Sequence, residues 1–193
     1  MDGCSLRLIK ASRKTLYEML TDRGYIFAHD KKVIINDVEL PIHGTQDNAV
    51  IFVHYLLKRR QVPSLKECIA KYNITQSDSE KQHIVITSSP VNKTFRTLCK
   101  QFNMEHFEIL SLGVNITHHE LVPKHILYKS SSNSALMNNL KTELSLTSFD
   151  QLPLMKSTDP VAKYYAAHPG DIFKIERCSK SAGMYTSFRF VIE

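Results

Sequence analysis

Several sequence patterns that mark enzymes are missing from this chain. Its six glycines never cluster, so there is neither a Walker phosphate loop nor the GxGxxG turn of dinucleotide-binding proteins. No Gly-x-Ser-x-Gly nucleophile elbow occurs either. The four cysteines (Cys4, Cys68, Cys99 and Cys178) lie far apart, without a CxxC pair. This spacing argues against a zinc knuckle and against a small disulfide scaffold, and it favours reduced thiols.

Long apolar segments are also missing. No apolar run approaches the ~20 residues that a transmembrane helix needs, and the first residues lack the uninterrupted apolar stretch of a secretory signal. Hydrophobic residues make up 42% of the 193 residues and charged residues 23%, which is typical of one or two globular domains. The net charge of +6 favours contact with nucleic acid or another acidic surface.

The first half of the chain predicts an α/β fold. Strands are predicted at 33–40, 49–57, 83–89 and 106–112, and helices at 5–24, 64–74 and 91–102. We expect Ser64 to cap the second helix, and Gly24 to end the first. Pro90 breaks the chain between the third strand and the helix that follows it. The resulting strand–helix–strand segment indicates an α/β unit.

The second half predicts a smaller α+β domain. Helices are expected at 135–144 and 159–167, and strands at 171–177 and 186–192. Asp159 should cap the second of these helices, with Pro160 at its first position. The two strands should form a hairpin around Gly183.

The segment VNITHHELVPKH (114–125) contains three histidines, a glutamate and a proline, so a metal site is one interpretation of it. A zincin requires HExxH on a helix, so that both imidazoles project from one face. Here the second histidine, His125, comes two residues too late after His119. Pro123 would also disrupt such a helix, because it lacks an amide hydrogen and clashes with the preceding turn. Histidines held by hydrogen bonds at a packed turn or interface are the favoured interpretation.

Basic residues give better support to nucleic-acid contact. Lys58, Arg59 and Arg60 form a basic run, and Lys93 and Arg96 lie three residues apart early in the helix after Pro90. The N-terminus of that helix can offer backbone amides to a phosphate. Such contacts position a duplex without reading its sequence.

Six motifs of the second half occur in the order found in one family. They are VNITHHELVPKH (114–125), QLP (151–153), DPVAKYY (159–165), HPGDIFKIER (168–177), SKSAG (179–183) and YTSFRFV (185–191). The chain therefore resembles the fifth-largest subunit of nuclear DNA-directed RNA polymerases, whose C-terminal part is similar to a small subunit of archaeal RNA polymerases. In the first half, TLYEMLTDRGY (15–25) resembles the first helix of this family, and Ser89-Pro90-Val91 its loop between strand and helix.

Three positions depart from the family pattern. Leu154 stands where an arginine usually follows Leu-Pro, Lys180 replaces an acidic residue, and Met184 replaces a basic one. The departures indicate a fast-evolving lineage, a polymerase-specific paralogue or a virus-encoded copy.

The resemblance implies a subunit in two parts. An α/β jaw with a mixed sheet (1–113) would lie beside the downstream DNA duplex, and a small α+β assembly domain (114–193) would dock on the largest subunit. Interface candidates are His119, Glu120, Pro123, His125, Asp159, Pro160, Gly170 and Gly183. Downstream-DNA candidates are Ser89, Pro90, Lys93 and Arg96.

The same resemblance implies a non-catalytic nuclear subunit, or a virus-encoded one, that partners other core subunits. No cofactor, metal, membrane or small-molecule substrate is expected, because the polymerase active site belongs to the largest subunits. Two alternatives come from other classes of protein. One is a free-standing DNA-binding regulatory module, and the other is a metal-dependent hydrolase that uses His118, His119 and His125.

Overall fold

The computed structural model describes residues 3–25, 42–43, 50–57, 61–71, 74, 81–131, 134–179 and 183–193. The chain forms two compact units, Met1–Val114 and Asn115–Glu193. The sequence placed the boundary one residue earlier. The strand expected at 33–40, the basic run at 58–60 and Lys180 fall outside the described residues. None of the described helices is long and apolar enough to cross a membrane.

The first unit is built around a mixed four-stranded sheet. Its helices are α1 (Gly3–Asp22), α2 (Gln61–Lys71) and α3 (Lys93–Gln101), and its strands are β1 (Ile42–His43), β2 (Val50–Leu56), β3 (Lys81–Thr87) and β4 (Met104–Glu108). The strand order is β1-β2-β3-β4. Strands β2, β3 and β4 are parallel, whereas β1 is antiparallel to β2. The predicted strand–helix–strand unit is therefore β3-α3-β4, with its strands as parallel neighbours.

Helix α1 buries the apolar side chains that the sequence places on one face. Leu16, Met19 and Leu20 are almost fully buried. The helix ends as predicted, because Gly24 adopts a left-handed φ of 91°. Its amide donates to the carbonyl of Thr21, and the Tyr25 amide donates to that of Leu20, which completes a Schellman motif.

Helices α2 and α3 share a second hydrophobic cluster with the sheet. It contains Leu65 of α2, Phe95 and Cys99 of α3, Val85 of β3 and Met104 of β4. Burial raises the pKa of the Cys99 thiol to about 12, so this cysteine stays a neutral core residue. This packing holds α3 against the sheet and leaves the outer face of α3 exposed.

Two element boundaries in this unit were predicted wrongly. Helix α2 begins at Gln61, so Ser64 lies inside it and is not its N-cap. A proline in the first helical turn is tolerated, since amides there have no partner within the helix, and Pro63 therefore does not delay the start. Strand β4 runs from Met104 to Glu108 and gives way to turns before residue 112.

The second unit contains another four-stranded sheet. Its strands are β5 (Lys124–Tyr128), β6 (Leu154–Lys156), β7 (Ile172–Ser179) and β8 (Gly183–Ile192), and its helices are α4 (Ser134–Glu143) and α5 (Pro160–Tyr164). The strand order is β5-β7-β8-β6. The predicted hairpin is confirmed, because β7 pairs antiparallel with β8 from Ile172–Phe190 to Ser179–Gly183.

Both faces of the second sheet carry hydrophobic residues. On one face Phe173 and Val191 are fully buried together with Ala162 of α5. On the other face Ile172 packs with Met137 and Leu140 of α4. These two hydrophobic clusters hold in place the chain segments that precede and follow the β7–β8 hairpin.

The sequence missed two short strands and overextended one helix. Strands β5 and β6 lie at the edges of the sheet, where alternation of polar and apolar residues is weak. Helix α5 ends at Tyr164 rather than at residue 167. Ala166 adopts a left-handed φ of 51°, and the Ala167 amide donates back to the carbonyl of Ala162. This bond closes the helix early.

Candidate docking turn and nucleic-acid interface

Residues 115–123, here called the docking turn, are organised by Asn115. Its side-chain oxygen accepts hydrogen bonds from the Thr117 amide at 3.0 Å and the Thr117 hydroxyl at 2.7 Å. This capping starts a short 3-10 helix, Ile116–His118. The Asn115 side-chain amide donates to the hydroxyl of Tyr164 at 3.2 Å, and both side chains are buried. The turn is therefore fastened to α5.

The outer part of the docking turn is exposed. His118, His119, Glu120 and Leu121 all face solvent, and the Leu121 side chain is 84% exposed. The Leu121 amide donates to Nδ1 of His119 at 3.2 Å, and the Val122 amide donates to the His119 carbonyl at 2.9 Å. These bonds fix the backbone of the turn. The apolar side chain of Leu121 is therefore presented together with the Glu120 carboxylate and the imidazoles of His118 and His119.

His125 lies in a different setting from the other two histidines. It belongs to strand β5, where its Nδ1 donates to the Pro123 carbonyl oxygen at 2.7 Å. Its ring meets the edge of the Phe173 ring at a centroid distance of 5.8 Å. Burial lowers the pKa of His125, against the opposing effects of the Pro123 hydrogen bond and the nearby Asp159 carboxylate. It is a packed residue of the sheet and not part of a turn.

This lowered pKa predicts a pH-dependent stability. Because the folded chain keeps His125 neutral at a pH where the unfolded chain protonates it, stability is lost as the pH falls below about 6.5. His125→Asn preserves a donor to Pro123 but cannot titrate, so it should flatten this dependence. Urea unfolding between pH 5 and pH 7.5 measures the effect, with the exposed His119→Asn as control. Equal pH dependence in the wild type and His125→Asn would contradict it.

The three histidines do not form a metal site in the described residues. Among those residues, no three His, Cys, Asp or Glu side chains are grouped so that they could hold a metal ion. The segment 119–123 is a turn that leads into β5, so the helix required by a zincin does not form. The absence of a helix at these residues is what the position of Pro123 predicted.

The DPVAKYY motif belongs to the core of the second unit. The Asp159 side chain caps α5 by accepting from the Val161 amide at 2.8 Å, and Pro160 occupies the first helical position, as predicted. Val161, Ala162 and Tyr164 are buried. The two interface candidates of this motif therefore shape the helix that fastens the docking turn.

The HPGD turn is held by a buried carboxylate that the sequence analysis did not single out. Asp171 is 3% exposed and accepts from the Ser130 amide at 2.9 Å and the His168 amide at 2.8 Å. Gly170 has a φ of 98°, and its amide donates to the Val191 carbonyl at 2.9 Å. In the sequence, an aspartate that directly follows Pro-Gly is the signal that could have identified this residue. Such a carboxylate needs hydrogen-bond donors once it is buried.

The interface candidate Gly183 and two departures from the family pattern, Leu154 and Met184, are distant in sequence from the docking turn. Gly183 starts β8 with a φ of 70°, and a side chain there would meet open space. Leu154 on the edge strand β6 is 49% exposed, and Met184 on β8 is 63% exposed. Two of the three departures from the family pattern therefore place apolar side chains on the surface.

Helix α3 and the loop before it carry the predicted nucleic-acid residues, and α3 adds a further basic residue, Lys100. Ser89, Pro90, Lys93 and Arg96 are all exposed. Lys100 is also exposed, and it follows Arg96 by four residues. Residues spaced by three, four and seven positions share one side of a helix. We call Lys93, Arg96 and Lys100 the basic face of α3.

The beginning of α3 is capped from within the chain. The Asn92 side chain accepts from the Phe95 amide at 2.9 Å, and the Asn92 carbonyl accepts from the Arg96 amide. No acidic residue occupies the first turn. The positive end of the helix therefore adds to the charge of Lys93.

The residues of the DRGY motif (22–25) make stabilising contacts within the first unit. The Arg23 guanidinium bonds both oxygens of Glu105 on β4, at 3.1 and 2.9 Å. The Tyr25 hydroxyl donates to the Gln82 side-chain oxygen at 2.9 Å. Together these bonds join the end of α1 to strands β3 and β4.

Both units are similar to known RNA polymerase subunits. Residues 114–191 match the family described as RNA polymerase Rpb5, C-terminal domain. Over 93% of its length the chain is 28% identical to the subunit RPABC1 of DNA-directed RNA polymerases I, II and III from Caenorhabditis elegans, of which 93% is covered. It is 27% identical to the rpabc1 subunit from Dictyostelium discoideum, with 93% of this chain and 95% of that protein covered.

These relatives are RNA polymerase subunits, and they match the first unit as well as the second. The resemblance noted from the motifs is thereby confirmed: residues 114–191 match the Rpb5 C-terminal family, and the chain is similar over most of its length to RPABC1 subunits of RNA polymerases I, II and III.

Proposed function

We propose that the chain is a non-catalytic subunit of a multisubunit DNA-directed RNA polymerase. The observation that carries the proposal is the similarity to RPABC1 subunits over 93% of the chain, which includes both units. We infer that the second unit, as the assembly domain, docks on the largest subunit and that the first unit, as the jaw, contacts downstream DNA. The place of action is then the nucleus, or the viral factory for a virus-encoded copy.

The exposed part of the docking turn supports the assembly role. Leu121 is an apolar side chain with 84% of its surface in solvent, and the turn that presents it is fixed by the buried Asn115–Tyr164 bond. A rigid turn loses little conformational entropy on binding. An apolar anchor with a polar rim is the composition of a protein–protein contact, and the rim here is His118, His119 and Glu120.

The basic face of α3 supports the contact with DNA. Lys93, Arg96 and Lys100 are exposed on one side of the helix, whose capped N-terminus follows the exposed Ser89-Pro90 loop. These positively charged groups suit phosphate oxygens, and contacts to phosphates carry no sequence information. The binding should therefore be independent of sequence and should weaken as salt rises.

Docking is tested by the substitution Leu121→Asp in a tagged full-length chain. Burying an unpaired carboxylate at the contact is unfavourable, so the yield of largest polymerase subunit recovered with the chain should fall by at least about ten-fold. Leu136→Asp is the matched control, because Leu136 is an exposed leucine of the same unit at 52%. Equal recovery with both variants would show that the docking turn is not the contact.

A further inference from the structure

A partly buried arginine in the first unit, Arg13, has hydrogen-bonding capacity that the described structure does not use. The Nε and Nη2 atoms of Arg13 are shielded from solvent, and neither has an acceptor among the residues that the structure describes. These two atoms lie on the same edge of the guanidinium group. A guanidinium remains charged at any physiological pH, so deprotonation cannot relieve the cost of burying it.

Among the residues that the structure describes, the hydroxyl of Tyr55 is hydrogen-bonded to Arg13, and it supplies no balancing charge. Ser12 is fully buried, and its hydroxyl donates to the Ile9 carbonyl at 2.9 Å. Its oxygen therefore accepts from the Tyr55 hydroxyl at 3.4 Å. Burial raises the pKa of Tyr55, while its hydrogen bonds with Ser12 and Arg13 and the charge of Arg13 oppose the rise. Tyr55 stays protonated and neutral, so its hydroxyl does not compensate the positive charge of Arg13.

We propose that the Nε–Nη2 edge of Arg13 is a binding site for the carboxylate of an aspartate or glutamate. A planar carboxylate accepts two parallel hydrogen bonds from this edge, and its single negative charge balances the single positive charge. A phosphate would bring an excess of negative charge that the surrounding hydroxyls do not neutralise. The chemistry of the site thus selects an acidic side chain.

Two acidic side chains of α1 and the sheet already have basic partners. Glu105 is bound by both terminal nitrogens of Arg23, and Glu18 lies 3.9 Å from the Lys14 amine. The carboxylate therefore comes from outside these two pairs, either from another acidic residue of this chain or from a neighbouring subunit. The second source rests on the proposed function, whereas the first does not.

The substitutions Arg13→Met and Arg13→Lys in the full-length chain test the site. Methionine removes the charge and the donors, and lysine keeps the charge but loses the paired edge. If the carboxylate belongs to this chain, urea unfolding should show that both variants raise the unfolding equilibrium constant about 100-fold. If it belongs to a neighbouring subunit, that constant should not rise, but recovery of the largest polymerase subunit should fall at least about ten-fold.

Lys14→Met is the matched control, because Lys14 is the adjacent residue and 81% of its side chain is exposed. An Arg13→Met chain that is as stable as the control and recovers as much polymerase would overturn the proposal. Full retention of stability and recovery by Arg13→Lys would also overturn it, because a point charge would then suffice. If the control itself recovers no polymerase, the proposed function has failed, and unchanged stability of Arg13→Met then counts against the carboxylate site.

Discussion

Replacing Lys93, Arg96 and Lys100 together by glutamine should raise the Kd for a short nonspecific duplex about 100-fold at 50 mM salt. Each of these exposed side chains on α3 can neutralise one phosphate and release its condensed counterion. The slope of log Kd against log salt should therefore decrease by about 3 in the triple variant. Fluorescence anisotropy of a labelled duplex, measured from 50 to 200 mM salt, gives both quantities for the full-length chain.

Helix α1 offers a control with the same spacing and the same change of charge. Arg7, Lys10 and Lys14 are exposed and lie three and seven residues apart, as the three residues of α3 do. Replacing them by glutamine lowers the net charge equally but should leave the Kd within about three-fold of the wild type. Equal losses in both triple variants would show that overall charge, and not the basic face of α3, attracts the DNA.

Asp171→Ala should destabilise the second unit by about 3 kcal/mol. The substitution removes a buried acceptor and leaves the Ser130 and His168 amides without one. The Val191 amide donates to the Asp171 carbonyl, so disorder in this turn would spread to the β7–β8 hairpin. The change in the urea midpoint at constant slope measures the effect. Asp171→Asn should lower the stability of the second unit by roughly half as much. The single carbonyl oxygen of asparagine can accept well from only one of the two amides.

Asp150→Ala is the matched control for this measurement. Asp150 is an exposed aspartate of the same unit, and among the described residues its carboxylate accepts from the Ser148 hydroxyl at 2.9 Å. Its removal should cost less than about 0.5 kcal/mol. Comparable losses for both aspartates would mean that the Asp171 carboxylate does not hold the HPGD turn.

Local signals in the sequence predicted most helices and the paired strands. The Asp159-Pro160 start of α5, the end of α1 at Gly24 and the β7–β8 hairpin all depend on neighbouring residues, which the sequence displays directly. The wrong start of α2 has the same local origin. Ser64 is a good capping residue, but Pro63 is equally acceptable inside the first turn, so the helix extends to Gln61.

The features that require distant residues could not be predicted. The Asn115–Tyr164 bond joins residues 49 positions apart, and the Arg23–Glu105 pair spans 82 positions. Neither pairing leaves a periodic signal in the chain. The edge strands β5 and β6 were missed for a related reason, since their pairing partners β7 and β8 decide their structure. The sequence named the loop and α3 residues as candidates, and their role stays a prediction, whereas Lys100 and Asp171 were identified only from the fold.

The separate roles of the three histidines also depend on the fold. His118 and His119 lie on the exposed docking turn, while His125 is packed against Phe173 in β5. The sequence placed all three in one cluster, and only the position of Pro123 argued against a helix there. The turn that replaces that helix gives the segment its proposed role in docking.

The central claim is that this chain works as part of an RNA polymerase. It is tested most directly by affinity purification of the tagged full-length chain from its native cells, followed by identification of the co-purifying proteins. The two largest subunits of a DNA-directed RNA polymerase should be recovered in amounts close to one per tagged chain. Recovery of the chain without either large subunit, whether alone or on DNA, would contradict the account and would favour a free-standing DNA-binding regulatory protein.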